Sequence, residues 1–416
     1  MTTRTPAVVV SGHTMALAVV RALGEAGVPV AVMHYDARDM AQASRYVVAD
    51  IRLPHPLVDE QGFVDALVTY GPRFGGALLM PASDESTVAV SRHKRLLEEH
   101  YRVACPDWEV TERFIDKTKT YELAAARGVP APRTMVPQSL ADLDGQGTAL
   151  DFPLLVKPAE SHLFYERFRR KMIEVANVSE LREAYIAATE AGLAVMLQEI
   201  IPGDDASVVN YNAYFWEGEA LAEFTARQLR KAPPRYGSPR VAVSARIREV
   251  IEPGRTILAA LGFSGFACTE FKLDRRDGTY KLMEVNGRHN LSGLLAVRCG
   301  LNFPLIQYRH LVEGVLPASN AYRAGVYWTD VFRDVGYSLG YLRAERYSPL
   351  DYVRPYAGRH CDAILDPADM GPFWTRFGYL ARNAAAAVRG RPGRGLKPAG
   401  PVDDAVHALA AGQEEG

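Results

Sequence analysis

The chain has 416 residues, 48% of them hydrophobic and 23% charged, enough for two to four packed units at roughly 100 to 200 residues per domain. Its 48 Lys and Arg almost cancel 49 Asp and Glu, and a net charge of −1 argues against a general nucleic-acid binder held by counterion release. No window reaches the ~18 apolar residues of a membrane span, and Cys105, Cys268, Cys299 and Cys361 form no C-x-x-C pair and no zinc spacing. These features predict a cytoplasmic protein with reduced thiols, without transmembrane segment or nucleic-acid partner.

The first hundred residues alternate short apolar runs at 7–10, 28–33 and 77–80 with amphipathic stretches at 14–26, from Phe63 and from Thr87. Strand–helix alternation of this kind predicts an α/β unit with a parallel sheet. The turn Ser11-Gly12-His13-Thr14 has one glycine where a dinucleotide fingerprint needs three, which argues against NAD or FAD there. At Pro81-Ala82-Ser83-Asp84-Glu85 a strand passes into a helix. Asp84 and Glu85 suit the positive end of that helix, and they are also candidate substrate contacts, because open α/β sheets bind ligands beyond the carboxyl ends of their strands.

A helix is expected over 116–127, stopped by Gly128 with Pro130 and Pro132 behind it. From Phe152 the pattern becomes α+β, with strands at 153–156, 172–176, 194–200, 208–215 and 220–224 around an amphipathic helix at 180–190. A helix over 247–261 and strands at 267–273 and 280–286 follow, the last two joined through Asp277-Gly278 as a hairpin. Beyond Leu316 the pattern weakens until Phe373, Phe377, Leu380, Ala384 and Val388 recur at helical spacing. No acidic residue occurs from Gly371 to Val402, so this helix and the Gly/Pro/Arg-rich tail behind it are basic. Packing on the main body followed by a disordered tail is one reading; peripheral contact with anionic lipid or a partner is the other.

The chemistry concentrates in Glu270-Phe271-Lys272 and in Leu282-Met283-Glu284-Val285-Asn286-Gly287-Arg288. A hairpin places Glu270 and Glu284 on neighbouring strands, and Asn286, two residues beyond Glu284, shares its face. Two carboxylates and an amide oxygen are hard ligands that suit Mg²⁺, which fills its octahedron with waters and phosphate oxygens. Arg288 is placed to meet negative charge held there. Lys157 lies within the apolar run PLLVKP, where a cation needs an anionic partner, and Lys117 opens the 116–127 helix. Phosphate would unite both lysines with the metal site, although the chain has no P-loop motif. From Arg227 to Arg248 seven Arg or Lys occur without an acid, a stretch read as a basic loop; a solvated loop and a site for an anionic substrate, with Arg227 and Lys231 as contacts, both account for it.

Taken in order, Asp116-Lys117 before a helix ending in Gly128, then Leu155-Val156-Lys157-Pro158, Leu197-Gln198-Glu199 leading to Asp204-Asp205, Glu270-Phe271 and Glu284-Val285-Asn286-Gly287-Arg288 resemble the ordered motifs of the ATP-grasp superfamily. The segment from Phe224 to Gly237 is similar to the basic, Pro-Pro-containing stretch of its carboxylate–amine ligase branch, which includes D-aspartate ligase. The resemblance implies an ATP-grasp fold, α/β and α+β and multidomain. It divides the chain into an N-terminal Rossmann-like pre-ATP-grasp domain (1–112), a small lid domain (113–192), a large domain with the metal site (193–316), a C-terminal extension (317–390) and a disordered tail (391–416).

The resemblance also implies ATP as the nucleotide and Mg²⁺, with Mn²⁺ as an alternative ion. Lys117 and Lys157 would contact phosphates, Gln198, Glu199, Ile200 and Ile201 would hold adenine, and Asp205 would meet the ribose. Glu270, Glu284 and Asn286 would bind the metal, with Lys157 and Arg288 in catalytic positions. The chain departs from the family's glycine-rich loop at 159–171, where Ser161, His162, Arg169, Arg170 and Lys171 stand instead. The implied reaction joins a small-molecule carboxylate to an amine through an acyl phosphate with release of ADP and phosphate. An ATP-dependent carboxylase of the biotin carboxylase type and a non-catalytic ATP-binding regulator remain alternatives, and a homodimer is left open.

Overall fold

The computed structural model describes residues 4–143, 150–158, 168, 172–318, 320–341 and 347–388. The first sheet is built from β1 (Ala7–Val10), β2 (Val30–His34), β3 (Val47–Arg52), β4 (Leu78–Pro81) and β5 (Arg102–Val103). All pair in parallel in the order β3-β2-β1-β4-β5. β1 and β4 are buried along their whole length, as the near-continuous apolar runs of a parallel sheet with two covered faces require. Strand order reverses between β1 and β4, so the turns at Gly12-His13 and Ser83-Asp84 flank the point where open α/β sheets admit ligands.

The helix after β4 begins earlier than Thr87. It spans Asp84–Arg92, because the Ser83 hydroxyl accepts from the Ser86 N–H while the Ser86 hydroxyl accepts from the Ser83 N–H. Asp84 and Glu85 therefore occupy its first turn. β3 does not stand out in the sequence: its six residues alternate between half-buried and exposed, as an edge strand allows.

A small sheet contains β6 (Thr134–Met135), β7 (Leu154–Pro158), β8 (Ile173–Val175) and β9 (Val195–Glu199), in the order β6-β9-β7-β8. The Val178–Glu190 helix packs on it, capped by the Asn177 side chain. β9, which the boundary at 193 assigns to the large unit, pairs antiparallel with both β6 and β7. Conversely, the Lys117–Ala126 helix, placed in the small unit by sequence, packs on the large sheet: Phe114 and Ala124 share a core with Val209, Tyr211, Ile257 and Leu282.

The large sheet has seven strands: β10 (Val208–Trp216), β11 (Glu219–Ala232), β12 (Ser238–Ser244), β13 (Gly265–Asp274), β14 (Thr279–Asn286), β15 (Tyr327–Thr329) and β16 (His360–Asp362). Their order is β14-β13-β10-β11-β12-β15-β16, antiparallel except for β15 and β16. The stretch read as a basic loop is instead the hairpin β11–β12, with β11 running eight residues past its expected end at 224. Its buried positions include Arg230 and Arg240, 2% and 0% exposed. Both guanidiniums surround Asp334 of the Val331–Tyr341 helix, at 3.5 and 3.4 Å from Oδ1, and Arg230 stacks over Tyr352 at 4.4 Å. Buried arginines with so distant a partner erase the period-two hydropathy that marks a strand.

Residues beyond 316 thus complete the large sheet, and they also grip the first one. Arg21, fully buried in the Thr14–Gly24 helix, donates to Asp369 at 2.9 Å and to the Ile364 carbonyl at 2.8 Å; Ser44 and the Arg45 N–H donate to the same carboxylate. The basic helix forms over Gly371–Val388. The segment expected to be disordered, 391–416, lies outside the described residues.

Candidate active site

Glu270 and Glu284 stand directly opposite each other on β13 and β14, and Asn286 follows two residues later on the same face. Met283 is the extra residue of a bulge beside this pair, an irregularity that re-aims side chains at strand edges and sites. Burial raises the proton affinity of Glu270; Lys231 opposes the rise and the negative Glu284 adds to it. A half-buried pair of like charges calls for a cation.

Two carboxylates with the Asn286 amide fit Mg²⁺, an ion that takes few protein ligands and completes its shell from phosphate and water. Among the described residues no group of three or more His, Cys, Asp or Glu is arranged to hold a metal, so a cage made wholly of such side chains is not formed.

Cations surround the pair. Lys117, the first residue of its helix, lies 3.3 Å from Glu284, whose charge raises the lysine's pKa. One turn on, the Tyr121 hydroxyl donates to the Met283 carbonyl at 2.8 Å, fixing the helix against the bulge. Lys157, 7% exposed on β7, donates to Gln198 Oε1 at 2.6 Å, and Gln198 in turn donates to Thr134 at 3.0 Å. Burial, with the positive charges of Lys117 and Lys231, lowers the Lys157 pKa to about 7. Lys231, also 7% exposed, thus belongs to the same group of cations.

The segment expected to hold adenine runs from β9 into the following turn. Gln198 is fully buried and committed to Lys157 and Thr134. The Glu199 carboxylate accepts from the Arg133 N–H at 2.9 Å and from Arg276 at 3.0 Å. Burial would raise its pKa, but these donors and Lys281 outweigh it and hold the acid below its ordinary range. Ile200 is half-buried, while Ile201 is buried and its carbonyl accepts from Lys272 at 2.7 Å. Asp205 uses both oxygens to accept the backbone N–H groups of Lys231 and Arg235, each at 2.9 Å. Its carboxylate therefore clasps the β11–β12 turn, a structural role that sequence reading missed.

Arg288 makes a bidentate pair with Asp84, both bonds 2.8 Å, and a longer bond of 3.3 Å to Asn286 Oδ1. Burial opposes the charge of Arg288, but Asp84 and Glu284 outweigh it and raise its pKa. The pair connects the first turn of the Asp84–Arg92 helix to the segment just beyond β14, across 204 residues. Glu85 sits beside Asp84, half-buried, and its charge helps to raise the pKa of Tyr35. Arg227 faces away from this group: it donates to the Ala206 carbonyl at 2.7 Å and to Tyr280 at 3.4 Å. Ser161, His162, Arg169, Arg170 and Lys171 lie outside the described residues.

The structure thus gathers Lys117, Lys157, Lys231 and Arg288 around Glu270, Glu284, Asn286 and Asp84. Four cations beside a carboxylate pair have the chemistry that suits a polyanion carrying its own metal. Lys272, Arg276 and Lys281, unassigned by sequence, fix the carbonyl of Ile201 and the carboxylate of Glu199. Only their positions on the β13–β14 hairpin, facing β9 across the fold, reveal them.

No family model matches the chain. By sequence it is similar to D-aspartate ligase of Enterococcus faecium, 28% identical over 236 residues, covering 54% of this chain and 56% of the relative. It is also similar to D-alanine–D-alanine ligase of Pseudomonas fluorescens, 28% identical over 49% of this chain and 63% of the relative. The chain spans less than two thirds of the length of these relatives. Among solved structures, an L-amino acid ligase from Bacillus licheniformis superposes with a TM-score of 0.58 at 19% identity, over 75% of each chain. A biotin carboxylase from Campylobacter jejuni gives 0.60 at 15% identity, over 77% of this chain and 74% of that one. At those identities the superpositions establish the ATP-grasp fold, and by sequence the chain is similar to amide-forming ligases.

Proposed function

We propose that the protein is an ATP-dependent carboxylate–amine ligase, forming an amide through an acyl phosphate and releasing ADP and phosphate. The observation that carries the reading is the convergence of Lys117, Lys157, Lys231 and Arg288 on the Glu270–Glu284 pair. The sequence similarity to D-aspartate and D-alanine–D-alanine ligases supports it.

A carboxylate does not condense with an ammonium in water, because oxide is not a leaving group. In the proposed reaction a carboxylate oxygen attacks the γ-phosphorus, and the bond to the β,γ-bridging oxygen breaks to release ADP. The amine then attacks the carbonyl carbon, and phosphate departs with the former carboxylate oxygen. Lys117, Lys157 and Lys231 hold the phosphates, and β9 with the turn after it flanks adenine. Arg288 steadies the oxyanion formed on amine attack. Glu270, Glu284 and Asn286 would hold magnesium, which would neutralise charge on the transferred phosphoryl. Asp84 holds the guanidinium of Arg288 in place at the mouth of the first sheet's switch point, where we place the carboxylate substrate. The small sheet, as a lid, would keep water from the acyl phosphate.

A coupled ADP-release screen over amino acids, dicarboxylates and amines, with product masses recorded, tests the reading. ADP that appears only when a carboxylate and an amine are both present, with a product lighter than their sum by one water, is the expected result. ADP release driven by bicarbonate would move the chain to the carboxylase reading.

A further inference from the structure

We propose that the outer face of the C-terminal region docks on an anionic lipid bilayer. The Gly371–Val388 helix is seated at its start, where Pro372 is buried and Phe373 packs on Phe332 with ring centroids 5.1 Å apart. One residue further on, the helix presents Trp374 and Phe377 to solvent, 59% and 51% exposed, although they are among the most apolar side chains available. They lie on one stripe with Ala381 and Ala384, and Arg376 and Arg382 flank it on either side at 100° per residue. Large aromatics between cations are the pattern of a helix that lies in the membrane interface.

The apolar surface continues beyond this helix. On the Val331–Tyr341 helix, Phe332, Val335 and Leu339 recur at helical spacing; Phe332 touches Phe373, while Val335 and Leu339 are 46% and 73% exposed. No described helix is long and apolar enough to cross a membrane, so the contact is one of lying on the surface.

Charge selects the occupant. Within the Gly371–Val388 helix Arg376 and Arg382 are the charged side chains, and no acid accompanies them. An anionic bilayer attracts these two guanidiniums on either side of the exposed aromatics. A second copy meeting the same face would bring its own cations against these, so self-association through it is opposed.

The test is co-sedimentation of the full chain with phosphatidylcholine vesicles, with and without phosphatidylglycerol. We expect pelleting with the phosphatidylglycerol vesicles at low ionic strength and release at high salt. W374S/F377S should weaken partition by about tenfold, and R376S/R382S should shift it in the same direction. The four side chains are exposed or half-buried, so the melting temperature should stay unchanged and separate lost docking from lost folding. A chain left in the supernatant at low salt, equal pelleting with phosphatidylcholine alone, or unchanged binding by W374S/F377S would each overturn the proposal. So would conversion of a dimer to a monomer by W374S/F377S in sedimentation velocity, which would assign the face to self-association.

Discussion

Two hairpins of one sheet carry most of the charge that first draws attention in the sequence, and they use it in opposite ways. In β13–β14, Glu270 and Glu284 face each other as like charges, with Lys117 3.3 Å from Glu284. In β11–β12, Arg230 and Arg240 converge on Asp334 and are sealed from solvent. On the proposed function the first hairpin is completed by a ligand, whereas the Arg230–Arg240 pair of the second is completed by Asp334 of the chain itself. Clustered charge in a sequence therefore says that a counter-charge exists, and only the fold says whether it comes from outside.

The sharpest way to break this contrast is to neutralise one acid in each hairpin. Glu284→Gln should lower turnover on the order of a thousandfold, the scale of losing a group that acts on transition-state charge, while leaving the urea midpoint unchanged or slightly higher. Asp334→Asn should do the reverse. Two buried arginines lose their counter-charge, at a cost of about 3 kcal/mol of stability by urea denaturation, and the folded fraction should keep its KM for ATP. If Glu284→Gln unfolds the chain, or Asp334→Asn removes activity without loss of stability, the division of labour is wrong.

Lys157 sharpens it further. Its pKa lies near 7 in the ligand-free protein, depressed by burial and by Lys117 and Lys231. Phosphate would stabilise the charged form and raise that pKa on binding. ATP binding should then take up a proton above pH 7, and affinity should fall by up to about tenfold per pH unit. Calorimetry at pH 8 in two buffers of different ionisation heat measures the uptake; zero uptake would remove Lys157 from the phosphate site.

The smallest effect separates two residues that sequence alone treats alike. Lys231→Met should raise the KM for ATP by about tenfold, because that side chain stands with the phosphate-facing cations. Arg227→Met loses a bond to the Ala206 carbonyl, so it should cost about 1 kcal/mol of stability and leave the KM for ATP within twofold. Equal effects on carboxylate KM from both variants would instead favour Arg227 and Lys231 as a substrate pair.

Legibility in the sequence followed the range of the interactions. The parallel strands, the Glu270–Glu284 hairpin and the Lys117 helix declare themselves through local apolar runs, an Asp-Gly turn and an Asp116 cap. What stayed hidden depends on distant partners: Asp334 burying the arginines of β11 and β12, Asp369 holding Arg21, and Asp84 holding Arg288. The sequence offers Asp84 as a helix-start acid or a substrate contact, and the family resemblance implies Arg288 as a catalytic cation, but nothing in either segment pairs the two. β9 declares itself as a strand, but the boundary expected at 193 separates it from β6 and β7, with which it pairs, since pairing partners are invisible to periodicity.

The central claim is that ATP activates a carboxylate, and the fate of that carboxylate's oxygen tests it most directly. With a substrate carrying ¹⁸O in its carboxylate, one labelled oxygen should appear in the released phosphate for each amide formed, read as a two-unit mass shift. Amide formation with unlabelled phosphate would contradict the acyl phosphate and the role assigned here to the Glu270–Glu284 pair.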